Sequence, residues 1–409
     1  MSILQSTTSI SPAARTAQAY RNWIGAALRS RGFRPFFLGA ALWAVIAIGV
    51  WPFAFAGTIE IPTAFSIVDW HAHEMVFGYV AAVVAGFLMT AIPNWTGRLP
   101  VSGWPLVGLT ALWTAGRLAV CESARLGRPL AAAIDCAFLA VFAALVAREV
   151  LAGKNWRNAK VVALVATLAG VNVAYHCEDA TTGVAEYSQR AALALIVMLI
   201  LVVGGRVTPS FTSSWLGRQA ATKRPAPFAK PDGVVMAVSG LALVAWTAAP
   251  GNEWTGLLAI VAGLGNLWRL SRWRGFSVRA DALLVVLHLG FGLAATGFLF
   301  AGAHALWPSY LPYDAGVHVW AIGGAGLMTL AMMTRATLGH SGRALVASTA
   351  TKVAYASIVI ALFARVAMSF LPAFQTLLLH AAACAWVAAF VAFLVGYAPL
   401  LAGRRSPTR

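Results

Sequence analysis

Acidic residues are scarce in this sequence: 13 Asp and Glu stand against 30 Lys and Arg, and charged residues make up only 11% of 409 positions. With 60% apolar residues beside that scarcity, a soluble core inside a charged shell is excluded and an integral membrane protein is implied. The formal charge of +17 then reports membrane topology, not nucleic-acid binding, because the basic residues concentrate in particular loops. Cysteine is nearly missing too. Cys121, Cys136, Cys177 and Cys384 form no C-x-x-C or C-x-x-C-H arrangement, which excludes covalent haem attachment and paired-thiolate metal chemistry. Cys121 and Cys177 fall near one face, where a disulfide or two ordinary thiols both suit the spacing. No motif for nicotinamide, flavin or iron–sulfur binding is present. Nor do the first thirty residues carry an apolar core ahead of a cleavage site. They read as an interfacial arm, with Tyr20, Trp23, Ile24 and Leu28 on the headgroups beside Arg21 and Arg29.

What is abundant is long, charge-poor sequence. Spanning helices are expected at 35–56, 73–93, 104–119, 129–147, 160–177, 190–206, 233–250, 254–270, 281–303, 314–334, 352–369 and 373–402. The expected architecture is therefore all-α and polytopic, with about twelve spans and both termini cytoplasmic. On that topology 25 of the 30 Lys and Arg fall on the cytoplasmic side; Arg117, Arg125, Arg128 and Arg190 fall at outer ends, and Arg365 lies inside a span. One integral membrane domain results: an arm at 1–34, six spans over 35–206, a cytoplasmic linker at 207–232 containing Pro209, Pro225, Pro227 and Pro231, six more spans over 233–403, and a tail at 404–409. The halves show no convincing internal repeat.

Histidine carries the chemistry. His71, His73, His176, His304, His318 and His380 are expected in the outer half, whereas His288 lies two turns into its span from the cytoplasmic side and His340 in a cytoplasmic loop. A buried neutral imidazole makes either an interhelical hydrogen bond or a metal ligand. The stretch Asp69-Trp70-His71-Ala72-His73-Glu74-Met75 permits two geometries. An extended segment points His71 and His73 to one side, where both chelate one ion; a helix sets them about 200 degrees apart. On a helix His71 stacks with Glu74 and Met75, a His–Met pairing that favours Cu(I), and His73 faces elsewhere, toward His318 among other choices. Anchoring at the interface with Trp70 is the structural alternative. Gly78 with Gly86, and Gly323, Gly324 and Gly326 beside His318 and Ile322, admit either a porphyrin face or a close helix neighbour. Asp135 and Arg365 are the expected charges within spans. They pair with each other, or Arg365 snorkels to hold a haem propionate and Asp135 joins Glu74 as a proton carrier.

Several motifs run in order along the chain: R-P-F-F-L at 34–38, W-H-A-H-E-M-x-F-G-Y at 70–79, T-A-I-P-N-W-T-G-R at 90–98, G-G-R-V-x-P-x-F-T at 204–212, H-L-G at 288–290, and H-V-W-A-I-G-G-x-G-L-M-T-L-A-M-M-T-R-x-x-L-G-H-S-G-R at 318–343. Together they resemble the NnrS family of membrane proteins. That resemblance implies a twelve-helix bacterial inner-membrane protein containing haem and copper, associated with nitric oxide in denitrification and nitrosative stress. It implies His71, His73, His288, His318 and His340 as the family-type histidines, with Arg34, Asn94, Arg98, Arg206, Arg335 and Arg343 as polar partners; His176, His304 and His380 match no family motif.

The combined expectation is an outer haem or copper centre on His71, His73 and His318, with Met75 beside it and His288 as axial ligand of a deeper haem. Glu74 and Asp135 carry protons, while Arg335 and Arg343 near His340 hold propionates or structure the loop. Nitric oxide is the expected ligand or substrate, an oxidoreductase step like that of a nitric oxide reductase is open, and electrons come from a quinol or redox partner. Membrane lipid is the other expected partner, and nucleic acid is not. A metal or solute transporter and a protective protein that binds NO or metal without turnover are the rival readings.

Overall fold

The computed structural model describes residues 25–403. Tyr20, Arg21, Trp23, Ile24 and the tail 404–409 lie outside the described residues; of the expected arm, Leu28 and Arg29 fall in a short 3-10 turn, Ala27–Arg29. Every regular element among the described residues is helical, as an apolar solvent requires, because only a helix satisfies its backbone polar groups within one segment.

The long helices are α1 (Phe33–Phe55), α2 (Ile67–Thr96), α3 (Trp104–Cys121), α4 (Arg128–Ala152), α5 (Ala159–Thr182), α6 (Glu186–Arg218), α7 (Lys230–Ala248), α8 (Glu253–Ser271), α9 (Ala282–Leu306), α10 (Tyr313–His340), α11 (Thr349–Phe370) and α12 (Gln375–Ala402). Among the described residues, ten helices have the length and composition to cross a membrane. The shorter α3 and α8 are less apolar and pack in the same bundle, α3 on α4 and α8 on α9. Local chemistry sets the ends. Pro105, Pro129 and Pro231 sit in the first turns of α3, α4 and α7, where a missing N–H does no harm. Gly97 and Gly183, at φ +72 and +81, close α2 and α5 in the left-handed conformation.

Consecutive helices pack as neighbours, and α12 returns to pack on α1. Arg34 on α1 donates from Nη1 to the carbonyls of Leu400, Leu401 and Gly403 at 3.2, 2.8 and 3.0 Å. The described chain therefore begins and ends on one face of the bundle, called here the near end. In the middle lie α2, α6 and α10, which contact one another. Each contains a π-helical stretch: Glu74–Val80, Ile200–Gly204 and Val319–Gly326. Such wide turns recur at functional sites, and two of these begin one residue after His73 and His318.

Several boundaries differ from the sequence reading, two of them for a definite local reason. The helix carrying the histidine pair starts at Ile67, not 73, because Ser66 caps it: its Oγ accepts from Asp69 N at 3.1 Å and donates to Asp69 Oδ2 at 2.7 Å. And α6 runs through Pro209 to Arg218, into the segment assigned to the linker. The π stretch at Ile200–Gly204 directly precedes the turn where the proline removes a hydrogen bond, and the helix continues beyond it. The small-residue faces receive helices, not a porphyrin: a Cβ on Gly86 would lie 2.8 Å from Phe37, one on Gly326 2.9 Å from Trp386, and one on Gly324 3.3 Å from Ala294.

Candidate functional site

Because α2 is already helical at Ile67, His71 and His73 cannot chelate one ion from the same side. They face different neighbours. His73 is fully buried and turns toward α4 and α5. Its Nδ1 lies 3.1 Å from Glu74 Oε1, and its Nε2 lies 3.1 Å from Asn172 Oδ1 and 3.2 Å from Asp135 Oδ2. His176 Nε2 approaches the same Asp135 oxygen at 3.1 Å, and Asn172 Nδ2 donates to it at 2.8 Å. Arg117 on α3 ties the cluster together: Nη1 donates to both Glu74 oxygens at 2.7 Å, and Nη2 pairs with Asp135 Oδ1. Tyr175 completes the packing by donating to Asp69 O at 2.8 Å.

The backbone makes room for this network. A Cβ on Gly78 would come within 2.8 Å of Glu74 Oε2 and 2.9 Å of Arg117 Nη1, and one on Gly116 within 2.9 Å of Asp135 Oδ1. The two carboxylates thus share one buried cation, Arg117, and each has further hydrogen-bond partners, as burial of charge requires. His73, Asp135 and His176 bring ligand-type atoms within 4.8 Å of one another, the metal-competent grouping among the described residues. In this arrangement, however, the ring nitrogens of His73 and His176 Nε2 are spent on carboxylates and an amide.

His71 turns the other way. Its ring stacks on Trp51 at 4.2 Å with a 19° tilt, and its enclosed Nδ1 has no hydrogen-bond partner. His318 and Arg365 lie within its electrostatic reach. His318 Nδ1 lies 2.7 Å from Asp314 O. Donation from Nδ1 to that carbonyl leaves Nε2 as the lone-pair nitrogen, the usual way a protein orients a ligating imidazole. Arg365 donates from Nη1 to Asp314 Oδ2 at 3.0 Å, and Ser369 Oγ donates to the same oxygen at 2.8 Å.

The expected outer group of six histidines therefore divides. His73 and His176 belong to one network, whereas His71 and His318 lie on the other side within electrostatic reach of each other. His304 Nδ1 bonds to Leu311 O at 2.8 Å, and His380 packs edge-on against Phe53; neither joins a cluster. His73 faces Asp135, not His318, and Glu74 lies on the His73 side, not with His71. Met75 packs against the apolar core. Asp135 pairs with Arg117 and Arg365 with Asp314, so the expected Asp135–Arg365 pair does not form. The four cysteines are free.

At the near end, His288 on α9 meets Thr212 Oγ1 at 2.9 Å through Nε2, while Nδ1 is enclosed without a partner. His340 is the last residue of α10, not part of a loop; its ring stands 5.6 Å from Phe33, and its carbonyl accepts from Arg31. It lines a cavity of about 530 Å³ together with Arg335, Arg206 and Asn94. Arg343 lies outside that lining and is exposed, and Arg34 is engaged with the α12 carbonyls, so neither stands where a cofactor role was expected.

Sequence reading missed Arg117, taking it for a charge at an outer helix end. Its place within 104–119, beside Gly116, was the available signal. Asn172 and Trp51 gave none, since an amide or a tryptophan inside a span is ordinary.

Fold and site together define a polytopic membrane protein whose buried polar chemistry rests on histidines at the start of its central helices. The model of the NnrS protein family matches residues 27–405, and the chain belongs to that family of nitric-oxide-associated membrane proteins. No curated protein matches the chain.

Proposed function

We propose that this is a twelve-span protein of the bacterial inner membrane, both termini cytoplasmic, that binds nitric oxide at a haem or copper held by His71 and His318 near the periplasmic face. The charge bias of the loops supports the orientation, and α3 and α8, packed as full partners in the bundle, support the count.

One observation carries the metal reading: a half-buried imidazole with an enclosed, unpartnered nitrogen lies within electrostatic reach of a second imidazole already oriented by a backbone carbonyl. An orphaned buried nitrogen is unfavourable unless something binds it. Two neutral imidazoles suit Cu(I) and haem iron alike. When bound, such a metal supplies a coordination position for a diatomic ligand. Trp51 fixes the plane of His71, Asp314 fixes the tautomer of His318, and Arg365 offers a guanidinium for an anionic group beside them. On the other side of α2, Glu74, His73, Asp135 and His176 follow one another at 3.1, 3.2 and 3.1 Å. This succession suits proton delivery, which reduction of NO would need together with electrons from a quinol or redox partner. His288, with its own free nitrogen, is the candidate ligand for a second metal.

Metal analysis and optical spectra of the purified full-length protein, oxidised and reduced, with and without NO, test this. Bound haem or copper whose NO-sensitive signal disappears in His71→Ala and His318→Ala, yet survives in His304→Ala, is expected. Folded, cofactor-replete protein containing neither metal would overturn the reading and favour transport, assayed as uptake into proteoliposomes. NO consumption by the reduced protein separates turnover from protective binding.

A further inference from the structure

The near-end cavity is independent of the metal reading. It opens between α2, α5, α6 and α10, and its volume of about 530 Å³ is in the range of small-molecule sites. Lys160, Arg206, Arg218 and Arg335 contribute four cations to its wall, and no carboxylate lines it. The segments outside the described residues, 1–24 and 404–409, contain no Asp or Glu either.

Arg335 is the enclosed cation of the four; Lys160, Arg206 and Arg218 keep solvent exposure. Arg335 is 6% exposed, lies over the Phe211 ring at 4.4 Å, and keeps an enclosed Nη1 with no hydrogen-bond partner. Arg218 lies within its electrostatic reach, as does Asp281. That carboxylate accepts from Leu283 N at the start of α9 and makes no ion pair with Arg335. Arg206 donates to Asn158 Oδ1 at 2.9 Å, lies 5.6 Å from the centre of the Trp95 ring, and feels the like charge of Arg157. A buried guanidinium with an unpartnered nitrogen, beside three further cations in a wall without carboxylates, is matched to an anion. Planar guanidiniums over aromatic rings further favour an oxyanion taken by two parallel hydrogen bonds.

We propose that this cavity binds a phosphate group, with Arg206, Arg218 and Arg335 on its oxygens and Phe87, Trp95 and Phe211 against the apolar part of the molecule that bears it. Two sources supply that chemistry at a membrane's cytoplasmic surface: the headgroup of an anionic phospholipid and a free phosphate compound. Basic pockets between spans are known lipid-headgroup sites, and the cavity is larger than a lone phosphate needs.

The test uses the full-length protein in detergent micelles. Native mass spectrometry follows retention of added cardiolipin against phosphatidylcholine, and thermal unfolding follows titration with pyrophosphate in lipid-free micelles. Selective retention of cardiolipin assigns the lipid source; saturable stabilisation by pyrophosphate assigns the free one. In either case Arg335→Gln and Arg206→Gln should weaken binding by roughly tenfold or more, as expected for loss of a charge-assisted hydrogen bond, and Arg335→Lys should recover part of it. Should Arg335→Gln fail to fold, Arg206→Gln and Phe211→Ala carry the comparison. Neither ligand binding, or binding equally strong in the glutamine variants, would overturn the proposal. Loss of a haem spectrum in step with Arg335→Gln would also overturn it, by giving the cavity to porphyrin carboxylates. Absence of any metal from the wild type leaves both binding readouts intact.

Discussion

His71 and His73 stand two residues apart on one turn of α2, and the chain treats them in opposite ways. His73 is fully enclosed, and groups on α2, α4 and α5 answer each of its nitrogens with a carboxylate or an amide. His71 is given an aromatic face, a neighbouring imidazole, and nothing for its Nδ1. Burial alone does not distinguish a structural polar group from a functional one; what does is whether its hydrogen-bonding capacity is met. The same contrast separates the two ends of the bundle. Glu74, Arg117 and Asp135 form a closed set of charges, while the near-end cavity gathers cations with no carboxylate in its lining.

The largest effect should come from opening the closed set. Arg117→Ala leaves two fully buried carboxylates without their cation, a loss of about 3–5 kcal/mol for a broken buried pair. Thermal unfolding in detergent should show a large drop or a failure to fold. A triple variant, Arg117→Met with Glu74→Gln and Asp135→Asn, should recover much of the stability, since the charges then leave together. If Arg117→Ala alone melts like the wild type, the network is not structural and the contrast with His71 collapses. Next in size is Gly78→Ala, whose Cβ would meet Glu74 Oε2, Trp43 Nε1 and Arg117 Nη1 at 2.8–2.9 Å. Overpacking of this kind costs about 1–3 kcal/mol, and the same melting measurement reads it. Gly49→Ala, with nothing within 4 Å of the added carbon, is the control and should leave the melting temperature nearly unchanged.

Much of this fold was legible because a bilayer imposes coarse rules. Each expected span coincides with a long helix, and the proline-based boundary failed only at Pro209, where the π turn of Ile200–Gly204 lets the helix continue. The site was legible in its residue types and not in its partners. Histidine at the mouth of a span announces itself by residue type and depth, so His71, His73 and His318 could be singled out. Which of them meet depends on helix rotation, and that was set by a serine five residues earlier: capping by Ser66 starts α2 at Ile67 and sends the two imidazoles to different sides. Asp135 and Asn172 answer His73 from α4 and α5, at sequence separations that no local pattern encodes. The pairing of Asp135 went astray for the same reason, since Arg117, not Arg365, takes the buried carboxylates.

Thr212→Val removes the one hydrogen bond of His288 and should lower stability by about 0.5–1.5 kcal/mol, the net worth of a typical bond. If His288 also holds a metal, the optical spectrum of the loaded protein should shift in this variant, because Thr212 fixes the ring; an unchanged spectrum with the small loss of stability would assign His288 a purely structural part.

The smallest effect on stability should come from His71→Phe, and it bears most directly on the contrast. Phenylalanine keeps an aromatic ring against Trp51, a contact worth about 0.5–1.5 kcal/mol beyond burial, and it removes the enclosed nitrogen that has no partner. Melting should stay within about 1 kcal/mol of the wild type, in either direction, since deleting an unsatisfied polar atom offsets the change in shape. Metal content should nevertheless fall in the same preparation. His73→Phe reverses the pattern, because there the ring nitrogens are bonded and their removal strands Asp135 and Glu74 as acceptors. Stability lost with metal retained at position 73, and metal lost with stability retained at position 71, would establish that α2 divides structural and ligand-binding work between two faces of one turn; equal losses at both positions would mean that it does not.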